Sequence, residues 1–274
     1  MPASAGIGVA PHYFGGLFEL LRRSVTQLVR PPTEPRRAEA VRRLSRQVLL
    51  LTAIVALAIT ALIFAIDVVE IKLMPPRGTP SLWPVRILTD FGRDVYVLGL
   101  LAAMLMVVAI VAPWLRGARR SRLLRVGNQL QFMFFAVLVP VLAGEVIKWI
   151  AGRGRPFVGG KSDALNFVPF AGTEAHASFP SAHAVTCFAL AFAVTALWPQ
   201  AGVAMAVYAV LVALSRLVLL AHHPSDVVAG ALIGVVGAML LRYWFAARRL
   251  CFTIRPDGGI VPRTAASPGD RKGR

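Results

Sequence analysis

The chain has 274 residues, 57% of them hydrophobic and 16% charged, with a formal net charge of +17. A soluble domain of this length needs more polar surface, and a mean hydropathy of +0.66 points instead to a membrane protein. Nucleic acid is excluded as the reason for the charge, because Lys and Arg gather at the ends of apolar segments, as membrane topology requires.

Residues 1–47 come first. Phe14, Leu17, Phe18, Leu21, Val25 and Leu28 recur at helical spacing, with Arg22, Arg23 and Gln27 around the other side. This pattern predicts an amphipathic helix on the cytoplasmic leaflet, against the alternative of a partly disordered tail. Pro31-Pro32 and Pro35 end it. No small-residue cleavage site accompanies the first apolar run, so no removable signal peptide is expected.

Residues 48–247 carry six apolar segments: Val48–Ile66, Val95–Leu115, Val126–Ile150, Ser181–Trp198, Gly202–Ala221 and Ser225–Phe245. The expected fold is therefore all-α, a polytopic six-helix transmembrane bundle with the amphipathic helix ahead of it. Stretches 1–47, 116–125 and 242–274 hold 21 of the 30 Lys and Arg, which places both termini in the cytoplasm. Residues 248–274 read as a cytoplasmic tail, disordered after Arg255. Cys187 and Cys251 fall far apart, so no disulfide is implied. Between the first two segments, Leu82, Trp83, Val85, Ile87, Leu88 and Phe91 make a short apolar patch suited to the outer headgroup level.

On this topology four segment ends meet at the outer face, and each brings chemistry. Lys148 closes the third segment, and Arg155-Pro156 follows in a loop that Gly152 and Gly154 help to start. A point-charge ammonium and a forked guanidinium are complementary grips on a tetrahedral oxyanion, although either alone is equally a snorkelling interfacial residue. Pro180 is expected in the first turn of the fourth segment. There the amides of Ser181, Ala182 and His183 would be free to seat an anion, with the Ser181 hydroxyl adding a hydrogen bond. Arg216 lies within the fifth segment, where a charge costs up to about 2.5–3.5 kcal/mol and needs a partner, either a bound phosphate or a carboxylate such as Glu145. His222 ends that segment. Asp226, across the turn at Pro224, is expected to accept the His222 ring N–H and leave the other nitrogen free to attack. His223 reads as a bystander. Two histidines and a carboxylate could also hold a metal, but Lys148, Arg155 and Arg216 would repel a divalent ion, so no metal and no cofactor are expected.

These residues, Lys148 with Arg155-Pro156, Pro180-Ser181-Ala182-His183, and Ser215-Arg216 with His222 and Asp226, resemble the three-part signature of the type 2 phosphatidic acid phosphatases. That family belongs to the acid phosphatase and vanadium haloperoxidase superfamily. Ala182 departs from it, standing where Gly is frequent. The resemblance implies a lipid phosphatase in which His222 attacks phosphorus, Asp226 orients it and His183 protonates the leaving oxygen. Lys148, Arg155, Ser181, Arg216 and the Ala182 amide would bind the phosphoryl oxygens. The implied partners are a lipid phosphate or diphosphate and the membrane, with no nucleic acid and no obligate protein partner. The implied location is a bacterial-type cytoplasmic membrane with the site on its outer face. Two other readings stay open: a phosphotransferase of the same fold, and a membrane protein that binds phosphorylated lipids without cleaving them.

Overall fold

The computed structural model describes residues 10–156, 158 and 163–263. It is almost entirely helical. In chain order the helices are α1 (Ala10–Val29), α2 (Arg37–Ala65), α3 (Asp67–Leu73), α4 (Trp83–Asp90), α5 (Asp94–Val111), α6 (Gly117–Ala151), α7 (Ala182–Leu197), α8 (Gly202–Val218) and α9 (Pro224–Ala247). Five helical stretches are long and apolar enough to cross a membrane: Arg37–Ala65, Pro80–Trp114 with α4 and α5, Gly117–Ala151, Pro199–Val218 and Pro224–Ala247. The chain is a membrane protein, and its outward face agrees. Leu57 and Phe64 on α2 are 74% and 76% exposed, a state that water would penalise and lipid would not. The fourth expected span, α7, is a shorter apolar helix of 16 residues.

That short helix is the centre of the bundle, packed by α6, α8 and α9. Its inner surface is built from small residues, among them Ala184, Ala189 and Ala193, all fully buried. Opposite them on α9 stand Gly230 and Gly234. A Cβ on Gly230 would meet the Ser181 carbonyl oxygen at 2.5 Å, and one on Gly234 would meet that of Val185 at 2.4 Å. Backbones this close are what small residues four apart make possible in apolar helices. The crossing ties the first turns of α7 and α9, which carry His183 and Asp226, to each other.

On α1, Phe14, Phe18, Leu21, Val25 and Val29 are exposed along one side. The other side of the helix carries Glu19 paired with Arg22 and Arg23.

The end of the chain differs from expectation. Residues after Arg255 are not wholly disordered: β1 (Phe252–Ile254) pairs antiparallel with β2 (Ile260–Pro262). The turn between them contains Asp257 and Gly258, the latter at φ +77°, and the Asp257 carboxylate accepts the Gly259 N–H. Phe252 is fully buried and stacks edge-on against Phe132 of α6. Burial of this strand, not hairpin propensity alone, holds the segment. Residues 264–274 lie outside the described part, as do 1–9. Cys187 and Cys251 are both free thiols.

Candidate active site

Four chain segments reach one end of the bundle, and the local sequence explains each arrival. α6 stops at Ala151 because Gly152 takes the left-handed C-cap conformation, φ +54°. No other residue fits there, since a Cβ on Gly152 would lie 1.8 Å from the Val168 carbonyl oxygen. Arg153, Gly154 and Arg155 then run back across the helix end, Arg153 bridging to Phe167 in an extended pair. α8 ends in a Schellman turn: the Leu220 N–H bonds the Leu217 carbonyl, and the Ala221 N–H bonds that of Arg216. Leu220 holds the left-handed position at φ +48°, where glycine is usual, and its side chain is fully buried. The turn delivers His222.

His222 is buried. Its Nδ1 lies 2.8 Å from the Ser178 carbonyl oxygen. A carbonyl only accepts, so Nδ1 carries the proton and Nε2 keeps its lone pair. Burial pushes the imidazole well below its ordinary pKa, and the nearby Asp226 carboxylate opposes that shift without cancelling it. Burial thus favours the neutral imidazole, with Nδ1–H held and the Nε2 lone pair free.

This corrects one expectation. Asp226 does not accept the His222 ring proton. Its Oδ2 accepts from Ser178 Oγ at 2.6 Å, the His223 amide at 2.9 Å and His223 Nδ1 at 3.1 Å, and its Oδ1 accepts from Arg153 at 2.6 Å. Asp226 thus reaches His222 through Ser178, whose hydroxyl it holds and whose carbonyl holds the ring. His223, expected to point away, is fully buried against Asp226.

Behind this pair lies a group that motif reading missed. Arg153 is 0% exposed, and all five of its N–H donors are used. Nε and one Nη2 hydrogen go to the Ala164 carbonyl, the other Nη2 hydrogen to Asp67, and Nη1 to Ser225 Oγ and Asp226. Asp67, also fully buried, accepts from the Ser225 amide and hydroxyl as well. It arrives from α3, far from the motifs in sequence. A carboxylate directly after the first apolar segment was the available signal. Glu70, one turn on, is buried with neither oxygen partnered. Its pKa is raised to about 7 by burial first and then by Asp67 and Asp226.

The remaining predicted residues surround the same place. The expectation that Pro180 opens the helix shifts by two positions: Ser181 is the N-cap and α7 begins at Ala182. The Ser181 amide is not free either, since it donates to the Asp226 carbonyl at 3.1 Å. The amides of Ala182 and His183 have no acceptor among the described residues, and the buried Ser181 hydroxyl is unpartnered. Arg216, Arg93, Arg155 and Lys148 all stand close enough to act on the His183 charge. A Cβ on Gly92, in the turn before α5, would lie 3.5 Å from the His183 ring, so that turn closes over it. Lys148 pairs with Glu145. Arg155 binds Glu174 by both carbonyl and carboxylate at 2.9 Å, and Glu174 is 92% exposed. Burial pushes the Arg155 pKa down, with Glu174 opposing and Arg77 adding to it. Arg216, for which Glu145 was one expected partner, instead donates to Thr89 Oγ1 at 2.7 Å, and its Nε is buried without a partner. Among the described residues no group of three or more His, Cys, Asp or Glu side chains could hold a metal ion.

Unpartnered hydroxyl, guanidinium and amide donors thus stand near an imidazole whose Nδ1 is held by a carbonyl, an arrangement chemically suited to a tetrahedral anion. In comparison with known proteins, residues 129–250 match the PAP2 superfamily. The lipid A 1-phosphatase of Rhizobium johnstonii is 35% identical over 127 residues, 46% of this chain and 52% of that protein. That of Rhizobium etli is 34% identical over 46% of this chain and 55% of its own length. The bacitracin transport permease protein BcrC of Bacillus licheniformis is 26% identical over 60% of this chain and 79% of its own. The chain thus spans about half the length of the two lipid A 1-phosphatases. No solved structure matches it significantly.

Proposed function

We propose that the protein is a metal-independent lipid phosphatase, hydrolysing a phosphate monoester or diphosphate of a lipid through a phosphohistidine on His222. The observation that carries this reading is the His222 ring: Nδ1–H is held by the Ser178 carbonyl, while the ring is neutral and sits among cations. Pure binding of a phosphate needs no such nucleophile.

In the proposed reaction His222 Nε2 attacks phosphorus in line, and the P–O bond to the leaving group breaks. His183 gives the leaving oxygen its proton. Water then attacks the phosphohistidine, His183 takes its proton, and phosphate is released. Arg155, Arg216, Lys148, Ser181 and the amides of Ala182 and His183 hold the equatorial oxygens and stabilise the charge that grows there. Asp226 positions the nucleophile through Ser178 and balances charge as the ring becomes cationic. The name of the Rhizobium relatives adds the 1-phosphate of lipid A to the candidate substrates. Phosphatidylglycerol phosphate, phosphatidate and polyprenyl diphosphate are the others. The reading includes six spanning helices, α7 being added to the five long ones, both termini in the cytoplasm, α1 at the inner leaflet and the site at the outer face of a bacterial-type cytoplasmic membrane.

The test is phosphate release by purified protein in detergent, across a panel of lipid phosphates and diphosphates. Turnover is expected to vanish in His222→Ala with the thermal midpoint retained, and to survive EDTA. Near-normal turnover without His222, or EDTA inhibition reversed only by a divalent ion, sinks the scheme.

A further inference from the structure

Beside the proposed catalytic groups lies a cavity of about 360 Å³ lined by Arg77, Arg86, Arg155 and Arg216, together with small and apolar residues. No carboxylate lines it. Arg155 and Arg216 belong to the motifs, whereas Arg77 and Arg86 come from the segment between α3 and the end of α4, outside the residues that match the PAP2 superfamily. Arg86 donates to the Thr79 carbonyl at 3.3 Å, and Arg77 has no hydrogen bond or ion pair among the described residues.

Four guanidinium groups around one cavity repel one another, and of these only Arg155 has a carboxylate in ion-pair contact among the described residues, Glu174, so the cluster favours an arriving anion. Interfacial snorkelling explains scattered arginines, but these four, with Arg77 and Arg86 exposed, line a single cavity. The loop that carries Arg77 is also preset. The Thr79 hydroxyl and amide both donate to the Pro76 carbonyl, at 2.6 and 3.2 Å, and Gly78 between them adopts φ +87°. The reacting phosphate already has Arg155, Arg216, Lys148 and Ser181. Two further guanidinium groups match one further tetrahedral anion.

We propose that Arg77 and Arg86 form a second phosphate subsite that selects lipid diphosphates. This rests on the phosphatase reading above and specifies its substrate. His222 would attack the terminal phosphorus, and the bond from that phosphorus to the bridging oxygen would break. The leaving group, a lipid monophosphate held by Arg77 and Arg86, would take its proton from His183. Water then releases inorganic phosphate from His222. The two phosphates share one cavity, so the second anion is the neighbour of the first. The two phosphates of a bisphosphorylated disaccharide lipid are separated by both sugars and do not meet this condition.

The experiment compares full-length protein with an Arg77→Gln/Arg86→Gln variant on a polyprenyl diphosphate, the matching polyprenyl monophosphate and a bisphosphorylated disaccharide lipid. The variant is expected to lose roughly 30-fold or more in kcat/KM on the diphosphate and under about threefold on the monophosphate, the scale of one or two charge-assisted hydrogen bonds. Equal losses on mono- and diphosphate, or a loss confined to the disaccharide, overturn the proposal. If the unsubstituted protein cleaves none of these, the phosphatase reading fails, and binding decides the subsite separately. In His222→Ala protein, a lipid methylene-diphosphonate should then bind about tenfold more weakly once Arg77 and Arg86 are replaced, with the matching monophosphonate unaffected. Unchanged binding of both ends the subsite too.

Discussion

Arg153 and Arg216 lie at the same end of the bundle and are both buried, yet their surroundings are opposites. Arg153 spends every donor on protein: Asp67, Asp226, Ser225 and the Ala164 carbonyl. Arg216 has a threonine hydroxyl, an unpartnered Nε and three other arginines along its cavity. The first arrangement is closed and can only hold the structure together. The second leaves a donor unused, as the proposed binding of a phosphate requires. On the proposed reading the same side chain serves as a brace in one place and as a receptor in the other.

The sharpest way to break this contrast is to remove the brace. Arg153→Met leaves Asp67 and Asp226 buried without their cation, and removing one member of such a group costs about 3–5 kcal/mol. The expected result is a large fall in thermal midpoint in detergent, with activity lost through unfolding. A variant as stable as the parent would show that the group is dispensable. Arg216→Ala should behave in the opposite way, losing about a hundredfold or more in kcat, on the scale of one oxyanion donor, while the midpoint stays the same or rises. A loss under threefold would reduce Arg216 to a topology residue. The smallest effect belongs to Glu70. Its folded pKa of about 7 stands above its ordinary 4.5, so between those values the folded protein holds a proton that the unfolded chain has released. Stability should therefore fall as pH rises from about 4.5 through 7. Glu70→Gln should flatten that part of the midpoint-versus-pH curve, and an unchanged slope would assign it to another group.

Much of this was legible in the sequence, for identifiable reasons. Apolar runs and their basic flanks marked the helices, because hydropathy is a property of each residue wherever it folds. Lys148, Arg155, Ser181, His183, Arg216 and His222 were legible because each is a polar group that an apolar helix end must justify. The acceptor for His222 was not legible. It is a backbone carbonyl, which every residue possesses, and only the fold selects Ser178. Asp67 and Arg153 were missed for a related reason: their partners come from different elements, and no fixed spacing records such a meeting. The C-terminal hairpin was overlooked although Pro256-Asp257-Gly258-Gly259 between Phe252–Ile254 and Ile260–Pro262 is a turn signal. Charge around it suggested disorder, and burial of Phe252 decided otherwise.

The 16 residues of α7 set a depth as well as a position. A helix of that length rises about 24 Å, less than the roughly 30 Å of a hydrocarbon layer. On the proposed topology, with its far end at the opposite surface, the end bearing His183 would stop short of open water. A dissolved phosphate ester would have to burrow through headgroups to reach it. On the same reading a lipid, which carries its phosphate at headgroup level, would need only to slide sideways.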